Sequence, residues 1–153
     1  AGIGFFIALI ISISFTENLL EILVNTFIIA LFTNLINLFD LRPGRSIKVF
    51  IIVSIIMLVT SVVKEYNFFF YSFYGVLIVY FPLDLKAKVM MGDVGSNVLG
   101  ITLGIYCIYT HNIIIKIVYL TLLIIIHLLA EKLSFSTIID NNKILKFIDK
   151  LGR

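Results

Sequence analysis

The stretch Met91-Gly92-Asp93-Val94-Gly95-Ser96 sets a carboxylate between two glycines, just ahead of an apolar run of about 15 residues. Glycines let a backbone turn tightly and come close to a ligand. Ser96 is expected to cap the helix that follows, leaving its first N–H groups aimed at an anion. A carboxylate beside such a site suits a divalent cation that bridges phosphates, the raw material of phosphoryl transfer. The plainer alternative is that Asp93 and Ser96 only cap a helix at a turn. A second polar cluster, Asn34, Asn37 and Asp40, is spaced i, i+3 and i+6 and covers an arc of about 120° on a helix. Two amides and a carboxylate at the end of an apolar helix need partners, which makes function the default reading and interhelical hydrogen bonding the alternative, above all for Asn34. Leu41-Arg42-Pro43-Gly44-Arg45 follows directly, a turn that brings two guanidiniums near Asp40. Their planar forks suit bidentate phosphate binding, and anchoring on the basic side of a membrane accounts for them equally well.

The elements that must position these residues are set by the solvent. The 153 residues are 61% hydrophobic and 14% charged, with a mean hydropathy of +1.14. Soluble domains average roughly 45–50% apolar and 25% charged, so the composition implies an all-α, polytopic transmembrane helix bundle. Six spans are expected, at about 2–15, 19–39, 47–63, 68–81, 98–109 and 113–130. Domain organisation is then a membrane domain over 1–131, with site loops at 40–48 and 84–96, and a tail over 132–153. Arg42, Arg45 and Lys48, then Lys86 and Lys88, then Lys132, Lys143, Lys146, Lys150 and Arg153 fall on alternate segments. Only Lys64 and Lys116 fall on the other side. Basic residues stay in the cytoplasm, so both site loops are expected on the cytoplasmic face. The basic residues are thereby explained by topology, and nucleic-acid binding is not favoured.

Cys107 is the only cysteine and reads as a small buried hydrophobe. The seven tyrosines fall near expected helix ends and read as interfacial anchors. Ser96, Gly100 and Gly104 form a small face every four residues along which a neighbouring helix can come close. In the tail, Thr137 and Asp140 have capping-box-like spacing, and Ile144, Ile148 and Leu151 share one face among Lys143, Lys146, Lys150 and Arg153. That pattern predicts an amphipathic helix lying on anionic lipid.

Asn34-x-x-Asn37-x-x-Asp40, followed roughly fifty residues later by Ala87-Lys88-Val89-Met90-Met91-Gly92-Asp93-Val94-Gly95-Ser96, resembles the polyprenyl-phosphate N-acetylhexosamine-1-phosphate transferases. These include the phospho-N-acetylmuramoyl-pentapeptide transferase of peptidoglycan synthesis and the enzymes that start other cell-envelope polymers. The resemblance covers residues 20 to 105 best. It implies a transferase of the bacterial cytoplasmic membrane that moves an N-acetylhexosamine-1-phosphate from a UDP-sugar to polyprenyl phosphate and releases UMP. The implied cofactor is Mg²⁺, with Mn²⁺ as the other candidate ion. Asp93 matches the family's metal-binding, catalytic aspartate, and Asp40 is the second catalytic candidate. Asn34, Asn37, Arg42, Arg45, Lys88 and Ser96 are the candidate substrate-binding residues. Partners are then UDP-N-acetylhexosamine, polyprenyl phosphate and the bilayer, with a homodimer left open.

Four departures from the family pattern stand in the sequence. No aspartate-rich motif precedes Asn34, where the only acids are Glu17 and Glu21. Leu41-Arg42-Pro43-Gly44-Arg45 replaces a Gly-x-Asp-Gly-like turn. The asparagine before the second motif is missing, with Asp84 as its nearest substitute. The His-rich loop is absent, since His111 and His127 stand apart, and His127 reads as a packed neutral histidine. The chain is therefore expected to be a C-terminal portion of a longer enzyme, or a divergent member that keeps only lipid or nucleotide binding, and to lack turnover by itself. A transporter-like or structural subunit without chemistry is the alternative of a different class.

Overall fold

The computed structural model describes residues 2–132, 139 and 142–150, and its described elements are helical. In chain order they are α1 (Gly2–Phe15), α2 (Leu19–Phe39), α3 (Arg45–Thr60), a 3-10 turn (Glu65–Asn67), α4 (Phe68–Leu85), α5 (Gly92–Thr110), α6 (Ile113–Lys132) and α7 (Lys143–Lys150). Among the described residues, three segments are long and apolar enough to cross a membrane: Leu19–Phe39, Glu65–Leu85 and Ile113–Glu131. The other helices of the expected spans form but are shorter or more polar. α1 has 14 residues and α3 has 16, while α5 opens with the polar turn Gly92–Asn97.

α2 is the central helix, packed against α5, α1 and α6. Its entry is fixed by Asn18, whose side-chain oxygen accepts the Leu20 N–H at 3.0 Å. Ile28, Ile29, Phe32 and Ile36 from α2 meet Leu103, Tyr106 and Cys107 from α5 in a buried core. The small face of α5 works as its spacing predicts. A methyl at Gly104 would stand 2.6 Å from the Ile29 Cα, and one at Gly100 would stand 2.7 Å from the Phe32 carbonyl oxygen, so backbone meets backbone here.

Two boundaries differ from the sequence expectation. α4 continues past Phe81 through Pro82 to Leu85; the lost N–H bond and the crowding of the preceding turn that an interior proline brings are met by the tie of the buried Asp84, in the last turn, to Gly44. Ala87 then adopts a left-handed φ of 51°. The Ala87 N–H bonds the Asp84 carbonyl at 2.9 Å and the Lys88 N–H bonds the Leu83 carbonyl at 3.1 Å, the paired closure of a Schellman motif. α5 begins at Gly92 rather than Val98, and its N-cap position is Met91, with no side-chain cap bond. Ser96 therefore lies inside the helix and is not its cap: a left-handed Gly92, φ 64°, starts the helix early, and the small residues that follow fit against α2.

The tyrosines also differ from the interfacial reading. Tyr106 is only 2% exposed, and its hydroxyl donates to Asn67 at 2.7 Å. Tyr74 bonds Ser54 at 2.7 Å and Tyr119 bonds Thr60 at 2.8 Å. A ring with a polar tip can bury its body between helices once the tip finds a partner, and these three do. At this end of the bundle, away from Asp40 and Asp93, the N–H groups of Val62 and Val63 bond the Thr110 carbonyl, and buried Lys116 stands 3.9 Å from Glu21.

Candidate active site

The C-terminal ends of α2 and α4 and the N-terminal ends of α3 and α5 meet at one mouth of the bundle. α2 stops at Phe39, so Asp40 leaves the helical arc as its C-cap, with its N–H still bonded to the Asn37 carbonyl at 3.1 Å. The Asp40 carboxylate accepts the Ser46 hydroxyl at 2.8 Å. Gly44, left-handed at φ 74°, turns its N–H to the Asp84 carboxylate at 2.7 Å. A methyl there would run into the Leu85 side chain, 2.5 Å from its Cδ2. Arg45, between them, is buried and donates from Nε to Asp149 of α7 at 2.8 Å. Three successive residues thus hold three carboxylates that arrive from different parts of the chain.

Across the mouth, α5 is clasped to α2. The Asn37 amide donates from Nδ2 to Asn97 Oδ1 at 2.5 Å, and the Ser96 hydroxyl reaches Asn37 Oδ1. Ser96 Oγ also stands 3.0 Å from the Gly92 carbonyl and 3.2 Å from that of Asp93. This clasp places Asp93, exposed in the first turn of α5, close enough to act on Asp40. Burial pushes the Asp40 carboxyl above its ordinary range, and the charges of Asp84 and Asp93 push it further the same way; the Ser46 hydroxyl and the Gly92 backbone pull it down. Acids are therefore gathered at one place in spite of their mutual repulsion.

The structure brings Asp40, Asn37, Ser96 and Asp93 together at this mouth. Asn34 is exposed on α2, one turn further into the helix, and Lys88 is exposed on the segment between α4 and α5. Arg42 and Arg45 face α7 through Asp149, at 3.9 Å and 2.8 Å. The Thr137–Asp140 capping pair and the Leu151 and Arg153 positions of the tail lie outside the described residues. Four residues of the site were not singled out as such by the sequence: Ser46, Asn97, Asp149 and, except as a substitute for a missing asparagine, Asp84. Asn97 had a usable signal, since it sits at i+4 from Asp93 and shares its helix face once α5 is started at Gly92. His127 is packed, with Nδ1 at 2.8 Å from the Leu123 carbonyl.

Among the described residues no three His, Cys, Asp or Glu side chains come together as a metal cluster. No curated protein and no solved structure matches the chain. The family model for Glycosyl transferase family 4 matches residues 2–111, which hold both polar clusters and the clasp between them. Over most of its length, then, the chain belongs to Glycosyl transferase family 4, the family of phospho-N-acetylmuramoyl-pentapeptide transferase and of the UDP-N-acetylglucosamine:undecaprenyl-phosphate transferase, and it is of the membrane sugar-phosphate transferase kind.

Proposed function

We propose that this mouth transfers an N-acetylhexosamine-1-phosphate from a UDP-sugar to polyprenyl phosphate and releases UMP, on the cytoplasmic face of a bacterial inner membrane crossed six times by α1 to α6. The observation that carries the reading is the convergence of Asp40, Asp84 and Asp93 at one end of the bundle, with Asp40 held above its ordinary pKa by burial first and then by the charges of Asp84 and Asp93. Phosphoryl transfer asks a protein mainly for positioning and charge neutralisation. Asp93 would hold Mg²⁺ together with substrate phosphate oxygens, and the bound ion would supply neutralisation of the diphosphate charge. Asp40 stands beside it as the second acid. Arg42, Arg45 and exposed Lys88 supply positive charge for phosphate oxygens, and Asn34 lines the approach. Asn37 and Ser96 act as the clasp that fixes Asp93 relative to Asp40.

An acceptor with an apolar tail needs an apolar path to the same mouth. A groove of about 330 Å³, lined by Ile51, Ile55, Tyr74, Leu77, Ile78 and Phe81, runs between α3 and α4. Its Phe81 end lies beside Gly44, which supports a lipid acceptor whose phosphate reaches the acids while its chain stays in hydrocarbon. Asp93→Asn tests the reading: UMP release should fall by roughly a hundredfold or more while the protein keeps its thermal transition. Activity that survives this exchange refutes the assignment of Asp93 and favours a membrane protein without this chemistry.

A further inference from the structure

The C-terminal end of α7 is held by three cations. Asp149 Oδ1 accepts from Arg45 Nε at 2.8 Å, and Oδ2 is 3.9 Å from Arg42 Nη1. Lys48 Nζ donates to the carbonyls of Ile148 and Asp149 at 2.9 Å and 2.8 Å. The last carbonyls of a helix carry about half a negative charge, and with the Asp149 carboxylate they are the groups that meet the three cations, while Lys146 and Lys150 of the same helix carry the opposite sign. A phosphate monoester carries about −1.5 to −2 at neutral pH, with oxygens that a guanidinium fork takes in the same geometry as a carboxylate. In hydrogen-bonding form, the carboxylate and carbonyl acceptors of the tail end imitate a phosphate.

Eight residues are too few for a stable helix in isolation. Among the described side chains of α7, the apolar Phe147 and Ile148 remain 67% and 38% exposed, and the polar contacts of Asp149 and the last carbonyls hold the helix end. The paired side chains of Arg45 and Asp149 are only 4% and 6% exposed, and a buried ion pair returns much of its attraction as lost hydration, so exchanging one anion for another costs little. Arg45 also lies between Gly44 and Ser46, the partners of Asp84 and Asp40. An anion seated on Arg45 stands one residue from the acids of the mouth.

We propose that Arg42, Arg45 and Lys48 form a binding site for a phosphate group, and that the chain's own tail occupies it through Asp149 until a phosphate-bearing ligand displaces it. The site rests on the phosphoryl-transfer reading only for why a phosphate should arrive there. The ligand group is a phosphate, borne by a dissolved diphosphate or by a lipid headgroup.

The test uses the purified 153-residue chain in neutral detergent, with hydrogen exchange of residues 142–150 as readout. Inorganic pyrophosphate represents the dissolved source, and micelles doped with phosphatidic acid represent the lipid source. Chloride at equal ionic strength and phosphatidylcholine are the respective controls. Saturable release of the tail by pyrophosphate alone, by phosphatidic acid alone or by both supports the site and identifies its source. Asp149→Asn should free the tail without ligand and tighten binding of the effective probe about tenfold, since one competitor is gone. The readout is the tail's exchange and not turnover, so failure of the transfer reading and failure of this one are separable. If neither probe alters exchange beyond its control, the tail contact is a fixed structural pair and the proposal falls. It falls equally if Asp149→Asn frees the tail without changing affinity. The native-chain arms decide the matter even where that variant folds poorly.

Discussion

Gly100→Ala places a methyl where there is no room. The new carbon would stand 2.4 Å from the Thr33 Cα and 2.7 Å from the Phe32 carbonyl oxygen, both backbone atoms of α2. Carbon atoms settle at about 3.5–4.0 Å, so α5 must back away from α2 by roughly 1 Å. Overpacking of this kind costs about 1–3 kcal/mol, which for a chain of this size lowers Tm by roughly 3–10 °C. The same retreat reaches the site. Ser96 lies one turn nearer the mouth on the same face, and the Asn37–Asn97 bond of 2.5 Å is pulled open with it. Gly75→Ala is the internal control: nothing lies within 4 Å of its added carbon, so it should stabilise α4 by about 0.5–1 kcal/mol through helix propensity. Thermal denaturation of both variants in detergent, together with UMP release, gives the comparison. Equal Tm for Gly100→Ala and the native chain would show that α2 and α5 are not in backbone contact, and the clasp argument would fail with it.

Ala87→Gly should raise stability by about 1 kcal/mol in a denaturation assay, because alanine pays a left-handed penalty at φ 51° that glycine does not; an unchanged midpoint would deny the Schellman closure of α4. Ser46→Ala removes the hydroxyl that pulls the Asp40 carboxyl down, so its titration, followed by infrared absorption of the carboxyl, should move upward. A downward or absent change would mean the bond is not made. Because Asp40 is raised in the folded chain, its ionisation opposes folding: the cost is absent below the unfolded pKa and complete above the folded one. His111, in the turn between α5 and α6, is lowered by burial first and by Lys64 and Lys116. Its neutral form is the stable one, so Tm should hold above the ordinary value of 6.5 and fall as pH drops below it. His111→Gln should flatten that dependence, and an unaltered profile would assign it elsewhere.

Both ring nitrogens of His111 have partners. Thr110 Oγ1 donates to the Tyr106 carbonyl at 2.7 Å, so it accepts from His111 Nδ1 at 2.8 Å. Nε2 stands 3.0 Å from Thr60 Oγ1, a hydroxyl that also reaches the Ile56 carbonyl at 3.0 Å and the Tyr119 hydroxyl at 2.8 Å. The ring is thus held between α3, α5 and α6, and burial there is what favours its neutral form.

What the sequence made legible was what repeats with a helical period. Asn34, Asn37 and Asp40 mark the mouth end of α2, and Ser96, Gly100 and Gly104 mark the face of α5 that α2 touches. What it hid was phase and distance. A serine after Gly-Asp-Val-Gly has the composition of a cap, and only the left-handed Gly92 shows that the helix has already begun. Pro82 looks like an end to α4, yet Asp84 beyond it is held by a residue 40 positions away. Arg45 and Asp149 are separated by 104 positions, and neither carries a local pattern that names the other. The tail's Lys and Ile spacing describes an amphipathic helix well, while the acid that docks it lies outside that pattern.

The turn Gly44-Arg45-Ser46 sorts charge by sign. Gly44 and Ser46 orient Asp84 and Asp40, which with Asp93 form an acidic side where Asp40 resists ionising. Arg45 points the other way and, with Arg42 and Lys48, forms a basic side that faces the tail. A protein that only needed stability would pair these groups with each other across the turn, since opposite charges a few ångströms apart lower each other's cost. Keeping them apart makes sense for a ligand that itself carries both signs side by side. On the proposed reaction, a diphosphate carrying a divalent cation would be such a ligand, with Asp40 and Asp93 supplying the acids for the cation and Arg42 and Arg45 the guanidiniums for phosphate oxygens. The charge separation within three residues is therefore the feature on which the transferase reading and the displaceable tail meet.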